Sequence, residues 1–76
     1  MKELVAAFAH YLVDESDRVS VRERTEEGAR VLELLVAPVD RGRVIGKGGR
    51  TAAALRTVLG AVGARRGERV TLEILD

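Results

Sequence analysis

The sequence contains no cysteine, no tryptophan, one proline, one histidine (His10) and only two aromatic residues, Phe8 and Tyr11. Without cysteine the chain forms neither a disulfide nor a thiolate zinc site, and a single histidine excludes a histidine metal cluster. No stretch approaches the roughly 20 apolar residues of a membrane helix, and the N-terminus lacks a signal-peptide pattern. The length of 76 residues predicts one domain, residues 1–76, and the absences predict a cytoplasmic protein with no membrane contact, metal or cofactor.

The charge is unevenly distributed, although the net charge is only +1. Residues 1–40 carry five cations and nine acids, residues 41–66 carry seven cations and no acid, and residues 67–76 carry one cation and three acids. A surface built only for solubility mixes both signs, so the middle segment predicts a polyanionic ligand. Its seven cations are Arg41, Arg43, Lys47, Arg50, Arg56, Arg65 and Arg66.

Hydrophobic periodicity predicts an α+β fold with the order α-β-β-α-α-β. Apolar residues at helical spacing predict a helix over residues 2–13, with Phe8 and Tyr11 in the core. Alternation predicts strands over 18–22, 29–37 and 69–74, and a turn over 25–28 joins the first two. A short helical turn over 40–45, capped by Asp40, and a helix over 50–62 complete the order. We therefore expect a three-stranded sheet with helices packed on one face.

A glycine-rich turn, Gly46-Lys47-Gly48-Gly49, lies between the two predicted helices. Glycine lets the backbone adopt positive φ and approach a ligand closely, and the helix that follows presents unpaired N–H groups to an anion. A Walker A loop is excluded, because Gly42 precedes Gly46 by four positions instead of five and no Ser or Thr follows Lys47. The spacing of a dinucleotide-binding fingerprint fails as well. The remaining alternatives are an anion site and a turn that only reverses the chain.

Residues 40–51, followed by Ala54-Leu55-Arg56, resemble the core of a KH domain, whose G-x-x-G turn clamps the backbone of about four nucleotides. The element order resembles the type II topology. The length and the N-terminal helix resemble the small bacterial KhpA (YlqC) family over essentially the whole chain. Two positions depart from the family pattern. Ala52 stands where a larger aliphatic residue is usual, which predicts a shallower groove, and Gly48 replaces a polar residue.

The resemblance implies single-stranded RNA as the ligand and post-transcriptional control or RNA chaperoning as the role. We expect the amides of residues 47–49 to face phosphates and the nearby arginines to grip them in bidentate fashion. The predicted RNA-binding residues are Arg43, Val44, Ile45, Gly46, Lys47, Gly48, Gly49, Arg50 and Arg56. An apolar groove floor is predicted from Val44, Ile45 and Leu55, with Leu34 and Val36 as its far wall. For Val44, Ile45 and Leu55 the alternative is a place in the core, and single-stranded DNA stays open as a ligand.

The sequence also predicts pairing with a second module. RNA-binding domains that stack bases use aromatic platforms, and this chain lacks one, so a single copy is expected to bind weakly, with a dissociation constant on the order of micromolar and a strong salt dependence. The helix over 50–62 is apolar around more than half of its circumference, and its predicted interface residues are Ala54, Val58, Ala61 and Val62. The family resemblance implies a homodimer or a heterodimer with a Jag/KhpB-type RNA-binding protein.

The alternative function is a protein-interaction subunit that uses the apolar helix and for which nucleic-acid binding is secondary. An enzyme is not expected, because no nucleophile lies near a base and the carboxylates fall in polar turns as solvated caps. These carboxylates are Asp14, Glu15, Asp17, Glu26 and Glu27.

Overall fold

The structure, a computed structural model, describes residues 1–75, and Asp76 lies outside the described residues. It has the predicted α+β order. The elements are α1 (Lys2–Leu12), β1 (Ser20–Glu26), β2 (Ala29–Leu35), α2 (Arg41–Ile45), α3 (Arg50–Arg65) and β3 (Arg69–Ile74). Short 3-10 turns at Ser16–Arg18, Pro38–Asp40 and Lys47–Gly49 precede β1, α2 and α3. Within the described residues, no helix is long and apolar enough to cross a membrane.

The sheet has the strand order β1-β2-β3. β1 and β2 are antiparallel and meet at a two-residue turn, Glu27-Gly28, in which both residues have positive φ, as hairpins with right-handed twist require. β1 starts at Ser20 and ends at Glu26, against the prediction of 18–22, because its pairing with β2 continues through the polar residues 23–26 to this turn. β2 and β3 are parallel, from Ala29 opposite Arg69 to Leu34 opposite Ile74. Parallel neighbours need a crossover, and α2 and α3 provide it.

The core lies between the sheet and the helices. Its buried side chains are Val5, Ala9, Val13, Leu32, Leu34, Val36, Val44, Leu55, Leu59 and Leu72. The prediction for α1 was wrong in one respect: Tyr11 is 90% exposed, and Leu4 is also exposed. The buried residues are instead Val5, Ala9 and Val13, which recur every four residues, while Phe8 is partly buried and packs against the core.

Within residues 1–75, no helix covers the opposite face of the sheet, which instead carries ion pairs. Arg24 on β1 contacts Glu33 on β2 and lies 3.3 Å from Glu73 on β3. Its side chain therefore crosses the central strand beside its register partner Val31, which is only 4% exposed. An apolar residue on the outer face of β2 is thus shielded from water at Val31, whereas Leu35 at the end of the strand is exposed.

α3 continues three residues past its predicted end at residue 62. Gly63 does not stop the helix; it lies buried against β3. A Cβ at this position would lie 2.8 Å from the carbonyl oxygen of Glu68 and 2.8 Å from Cγ2 of Val70. Glycine is therefore required here for close contact between α3 and β3, and the helix ends only where Arg66 and Gly67 turn the chain.

Candidate nucleic-acid interface

The glycine turn has a backbone that glycine alone adopts without strain. Gly46 has φ 79° and ψ 167°, Gly48 has φ 64° and ψ 18°, and Gly49 has φ 77° and ψ 10°. The first of these lies in a region that is essentially restricted to glycine, and the other two are left-handed. Three such residues within four positions fold the chain into a sharp protrusion between α2 and α3.

Hydrogen bonds fix this turn and leave part of its backbone unused. The Gly46 N–H donates to the Gly42 carbonyl (2.9 Å), and the Gly49 N–H donates to the Gly46 carbonyl (3.0 Å). The Arg50 N–H donates to the carbonyl of Lys47. These bonds do not use the amides of Lys47 and Gly48. The amide of Gly49, which we expected to face a phosphate, is already engaged within the turn.

Thr51 supports the turn from the first turn of α3. A Cβ on Gly46 would lie 2.1 Å from Thr51 Oγ1, 2.6 Å from Thr51 Cβ and 2.8 Å from its backbone nitrogen. In contrast, a Cβ on Gly48 or Gly49 would meet nothing within 4 Å. Gly46 is thus the packed base of the turn, and Gly48 and Gly49 form its open tip.

The predicted cations do not all lie in the same environment. In the described part of the chain, Lys47 and Arg50 are exposed and form no ion pair. The Arg43 Nη1 lies 2.8 Å from the Oδ1 of Asp14. Arg56 donates its Nε hydrogen to the Leu72 carbonyl (3.4 Å), so it lies against β3, about 9 Å along the helix from Arg50. Lys47 and Arg50 therefore lie in and directly after the turn, Arg43 lies in α2 beside Asp14, and Arg56 lies farther along α3.

Asp40 anchors the segment that carries the turn. Its carboxylate is 1% exposed, and it accepts hydrogen bonds from the backbone N–H groups of Asp14 (3.1 Å) and Glu15 (3.0 Å). The N–H of Glu15 first, then that of Asp14 and the charge of Arg43, hold the pKa of Asp40 below its ordinary value against the opposing effect of burial. The expectation that Asp40 caps its own helix was wrong, since its side chain makes no cap hydrogen bond there.

Sequence reasoning missed this anchor, because the partners of Asp40 are backbone groups 25 and 26 residues away. The sequence offers one local signal: a carboxylate immediately before a basic helix. That signal predicts a cap, which is the commoner arrangement. Here the chain after α1 competes successfully for the carboxylate because it packs beside α2.

Four of the five predicted groove residues lie in the hydrophobic core. Leu34, Val36, Val44 and Leu55 have exposed fractions of 0 to 3%. They belong to the core cluster, which is the alternative that the sequence left open for Val44 and Leu55. Ile45, which is half-buried, is the member of the set with accessible surface. Contact between any of these residues and a base stays a prediction.

The outer face of α3 carries an exposed apolar strip. Ala54, Val58 and Ala61 recur at spacings of four and three residues and are exposed, Val58 by 47%, while Val62 at the edge is half-buried. The opposite side of the helix contributes Ala52, Leu55, Leu59 and Gly63 to the buried interior. The helix is therefore apolar on two faces, and the sheet accounts for only one of them.

A polar cavity of about 350 Å³ lies at the far end of α3 from the glycine turn. Its lining residues are Thr25, Gly28, Arg30, Gly67, Glu68 and Arg69. Arg30 is paired there with Glu68 (3.0 Å) and Glu23 (3.3 Å). Since α3 has 16 residues, about 24 Å of helix separates this cavity from the turn, so the two are separate features.

A glycine turn between two helices, set in the crossover between two parallel strands, defines a KH domain. The comparison with known families agrees: the family model described as KhpA/KhpB, KH domain, matches residues 2–74. The chain belongs to the KhpA/KhpB family of KH domains.

Named relatives are similar over their whole length. The RNA-binding protein KhpA of Aquifex aeolicus is 50% identical over 76 residues, which cover 100% of this chain and 96% of that protein. The RNA-binding protein KhpA of Clostridium acetobutylicum is 49% identical over 75 residues, covering 99% of this chain and 100% of the relative. The RNA-binding protein KhpA of Streptomyces coelicolor is 47% identical over 76 residues, covering 100% of this chain and 95% of the relative.

Proposed function

We propose that this protein is a non-enzymatic binder of single-stranded RNA that holds the RNA backbone at the turn Gly46–Gly49. The observation that carries the proposal is the turn itself, with two amides outside its hydrogen bonds and two cations, Lys47 and Arg50, that lack an acidic partner in the described chain. The relatives named as RNA-binding proteins support RNA over another polyanion. The protein would act in the cytoplasm as a post-transcriptional regulator or RNA chaperone.

The mechanism follows from the geometry of the turn. A phosphate at the tip accepts hydrogen bonds from the amides of Lys47 and Gly48, because no Cβ at residues 48 and 49 blocks its approach. The Lys47 ammonium adds a mobile charge, and the Arg50 guanidinium adds a bidentate grip. Such contacts position the strand and carry little sequence information.

The decisive experiment replaces charge at the tip without disturbing the core. Lys47→Asp/Gly48→Asp puts two acids at exposed positions, and residue 48 has open space and a left-handed backbone that Asp tolerates better than most residues. Binding to a fluorescent 12-nucleotide single-stranded RNA of mixed sequence is measured by anisotropy at low salt. We expect loss of binding of at least about tenfold, as repulsion replaces several phosphate contacts.

A matched control lies at the other end of α3. Arg66→Asp/Gly67→Asp makes the same change in net charge, and Gly67 has the same left-handed backbone and open surroundings as Gly48. This variant is expected to retain most of the affinity. Equal losses in both variants indicate a nonspecific charge effect, and unchanged binding by a folded tip variant rules the clamp out. The same oligonucleotide made as DNA tests the preference for ribose.

We propose in addition that the protein works as one of a pair, through the apolar strip of Ala54, Val58 and Ala61. The partner is a second copy, a Jag/KhpB-type RNA-binding protein, or both. Small residues at two of the three positions allow another helix to approach closely, and pairing of two weak RNA sites raises the effective affinity. If RNA binding fails, this same strip supports the alternative of a protein-interaction subunit.

Sedimentation of Ala61→Arg tests the homodimer. A cation within an apolar interface is desolvated on pairing, so the variant should sediment as a monomer at concentrations where the parent protein is dimeric. Ala53→Arg is the control, since Ala53 is exposed but lies about 100° around the helix from the strip. An unchanged distribution for Ala61→Arg removes this face from the interface.

A further inference from the structure

A carboxylate stands beside the arginine that precedes the glycine turn. Asp14 Oδ1 lies 2.8 Å from Arg43 Nη1, and the two side chains are 70% and 52% exposed. Ion pairs with this exposure contribute little to folding stability. The pair does, however, neutralise a cation at the place where an RNA strand would approach.

The position of Asp14 is fixed by its backbone. Its N–H and that of Glu15 donate to the buried carboxylate of Asp40, and Asp40 immediately precedes α2, the helix that carries Arg43. The chain after α1 is therefore fastened to the start of α2. A ligand cannot push the Asp14 backbone away from Arg43, and only rotation of the two exposed side chains separates the charges.

Carboxylate and phosphate compete for the same guanidinium. Arg presents a planar set of donors that pairs with either group in bidentate geometry, so one Arg43 side chain cannot make full contact with both. Asp14 has the advantage of being tethered in place, whereas a phosphate has to be supplied by a bound strand. A single phosphate therefore displaces Asp14 less readily than a strand that is already held at Lys47 and Arg50.

We propose that Asp14 competes with the RNA phosphate backbone for Arg43 and so lowers the affinity of the glycine turn for RNA. This inference rests on the proposed function, because it assumes that RNA is held at the turn. The competition favours ligands with several linked phosphates over free mononucleotides, since only the former are held elsewhere while they displace the carboxylate.

The test is a gain of affinity. Asp14→Asn keeps the size of the side chain and removes its charge, and binding is measured with the 12-nucleotide RNA at low salt. From the usual strength of exposed ion pairs, we expect about two- to fivefold tighter binding. Asp17→Asn is the matched control, because Asp17 is an exposed acid three residues away that forms no ion pair within residues 1–75. It makes the same change in net charge and should alter the affinity by less than about 1.5-fold.

A double-mutant cycle separates competition from a general field effect. In the background of Arg43→Met, Asp14→Asn should have no further effect, because the contested cation is gone. A gain that persists without Arg43, an equal gain from Asp17→Asn, or no gain in a folded Asp14→Asn protein overturns the inference. Thermal unfolding of each variant confirms that the compared proteins are folded.

The outcome is distinguishable from failure of the proposed function. If Lys47→Asp/Gly48→Asp loses RNA binding while Asp14→Asn binds like the parent, only the competition is refuted. If Lys47→Asp/Gly48→Asp binds RNA like the parent protein, the turn is not the binding site, and both the clamp and the competition are refuted.

Discussion

Replacing Gly46 by alanine tests whether the base of the glycine turn is as constrained as its geometry indicates. The new Cβ would overlap the Oγ1, Cβ and backbone nitrogen of Thr51, at 2.1, 2.6 and 2.8 Å. Rotation of the Thr51 side chain removes the first of these contacts only, so the backbone of the turn or of α3 has to move. Gly48→Ala is the natural comparison, because it also has positive φ but faces open space.

The two substitutions should lower the free energy of unfolding by different amounts. At Gly46 the backbone region costs about 1–3 kcal/mol for a residue other than glycine, and the steric overlap adds about 1–3 kcal/mol. At Gly48 only the left-handed conformation is penalised, by about 1–2 kcal/mol. A domain of 76 residues has a free energy of unfolding of about 4–11 kcal/mol. Gly46→Ala should therefore remove a large share of the stability, and Gly48→Ala a small one.

Thermal unfolding followed by circular dichroism measures this difference. With about 4–8 °C for each kcal/mol in a domain of this size, we expect Gly46→Ala to lower the Tm by about 8 to 48 °C and Gly48→Ala by about 4 to 16 °C. At a temperature where both remain folded, Gly46→Ala should also lose RNA affinity, since relief of the overlap displaces the amides of the tip. Equal Tm values for the two variants would refute the reasoning.

Two further predictions concern the scaffold. Gly60 and Gly63 both lie within α3, but a Cβ on Gly60 would meet nothing within 4 Å, whereas a Cβ on Gly63 would overlap Val70 of β3. Gly60→Ala should therefore raise the free energy of unfolding by about 0.5–1 kcal/mol, and Gly63→Ala should lower it by about 1–3 kcal/mol. Urea unfolding measures both changes. The pKa of Asp40 is lower in the folded than in the unfolded protein, so its contribution to stability is complete above its ordinary value of 3.8 and is lost as the pH falls through the folded value. Urea unfolding at pH 6 and pH 3 should show that Asp40→Asn is less stable than the parent at pH 6 and that the difference narrows at pH 3.

Clear outcomes contradict these two predictions. Stabilisation by Gly63→Ala would show that α3 and β3 are farther apart than described. If Asp40→Asn lowers the free energy of unfolding by the same amount at pH 3 and at pH 6, the charge of Asp40 does not hold the chain after α1.

Much of the fold follows from local pattern. Alternation of apolar residues identified β2 and β3, and the glycine turn separated α2 from α3, because these signals depend on neighbours in sequence. The predictions were wrong where tertiary contacts determine which residues are buried. Phe8 and Tyr11 are three residues apart and fit one side of a helix, yet Val5 and Ala9 are the buried residues of α1 and Tyr11 is exposed. Tertiary packing decides which side of α1 meets the sheet.

Part of the candidate site could also be predicted from local sequence. The glycine spacing and the +7 charge of residues 41–66 located the turn. The pairing of Arg43 with Asp14 and the bonds from the chain after α1 to Asp40 were not predictable, since they join residues 25 to 29 positions apart that no pattern relates. Nor could periodicity tell that Val44 and Leu55 are core residues, because an apolar side chain beside a ligand and one in a core have the same chemistry.

The position of β3 also determines when the protein can fold. Residue 29 is paired with residue 69, so the central strand lacks one neighbour until the whole crossover has been made. Pairing over such a separation is slow compared with the closing of the β1–β2 hairpin. On the ribosome, a chain that has reached only α3 exposes the side of that helix that β3 covers in the folded protein, the side of Gly63. Completion of β3 ends that exposure, whereas the cations Lys47 and Arg50 stay exposed after folding.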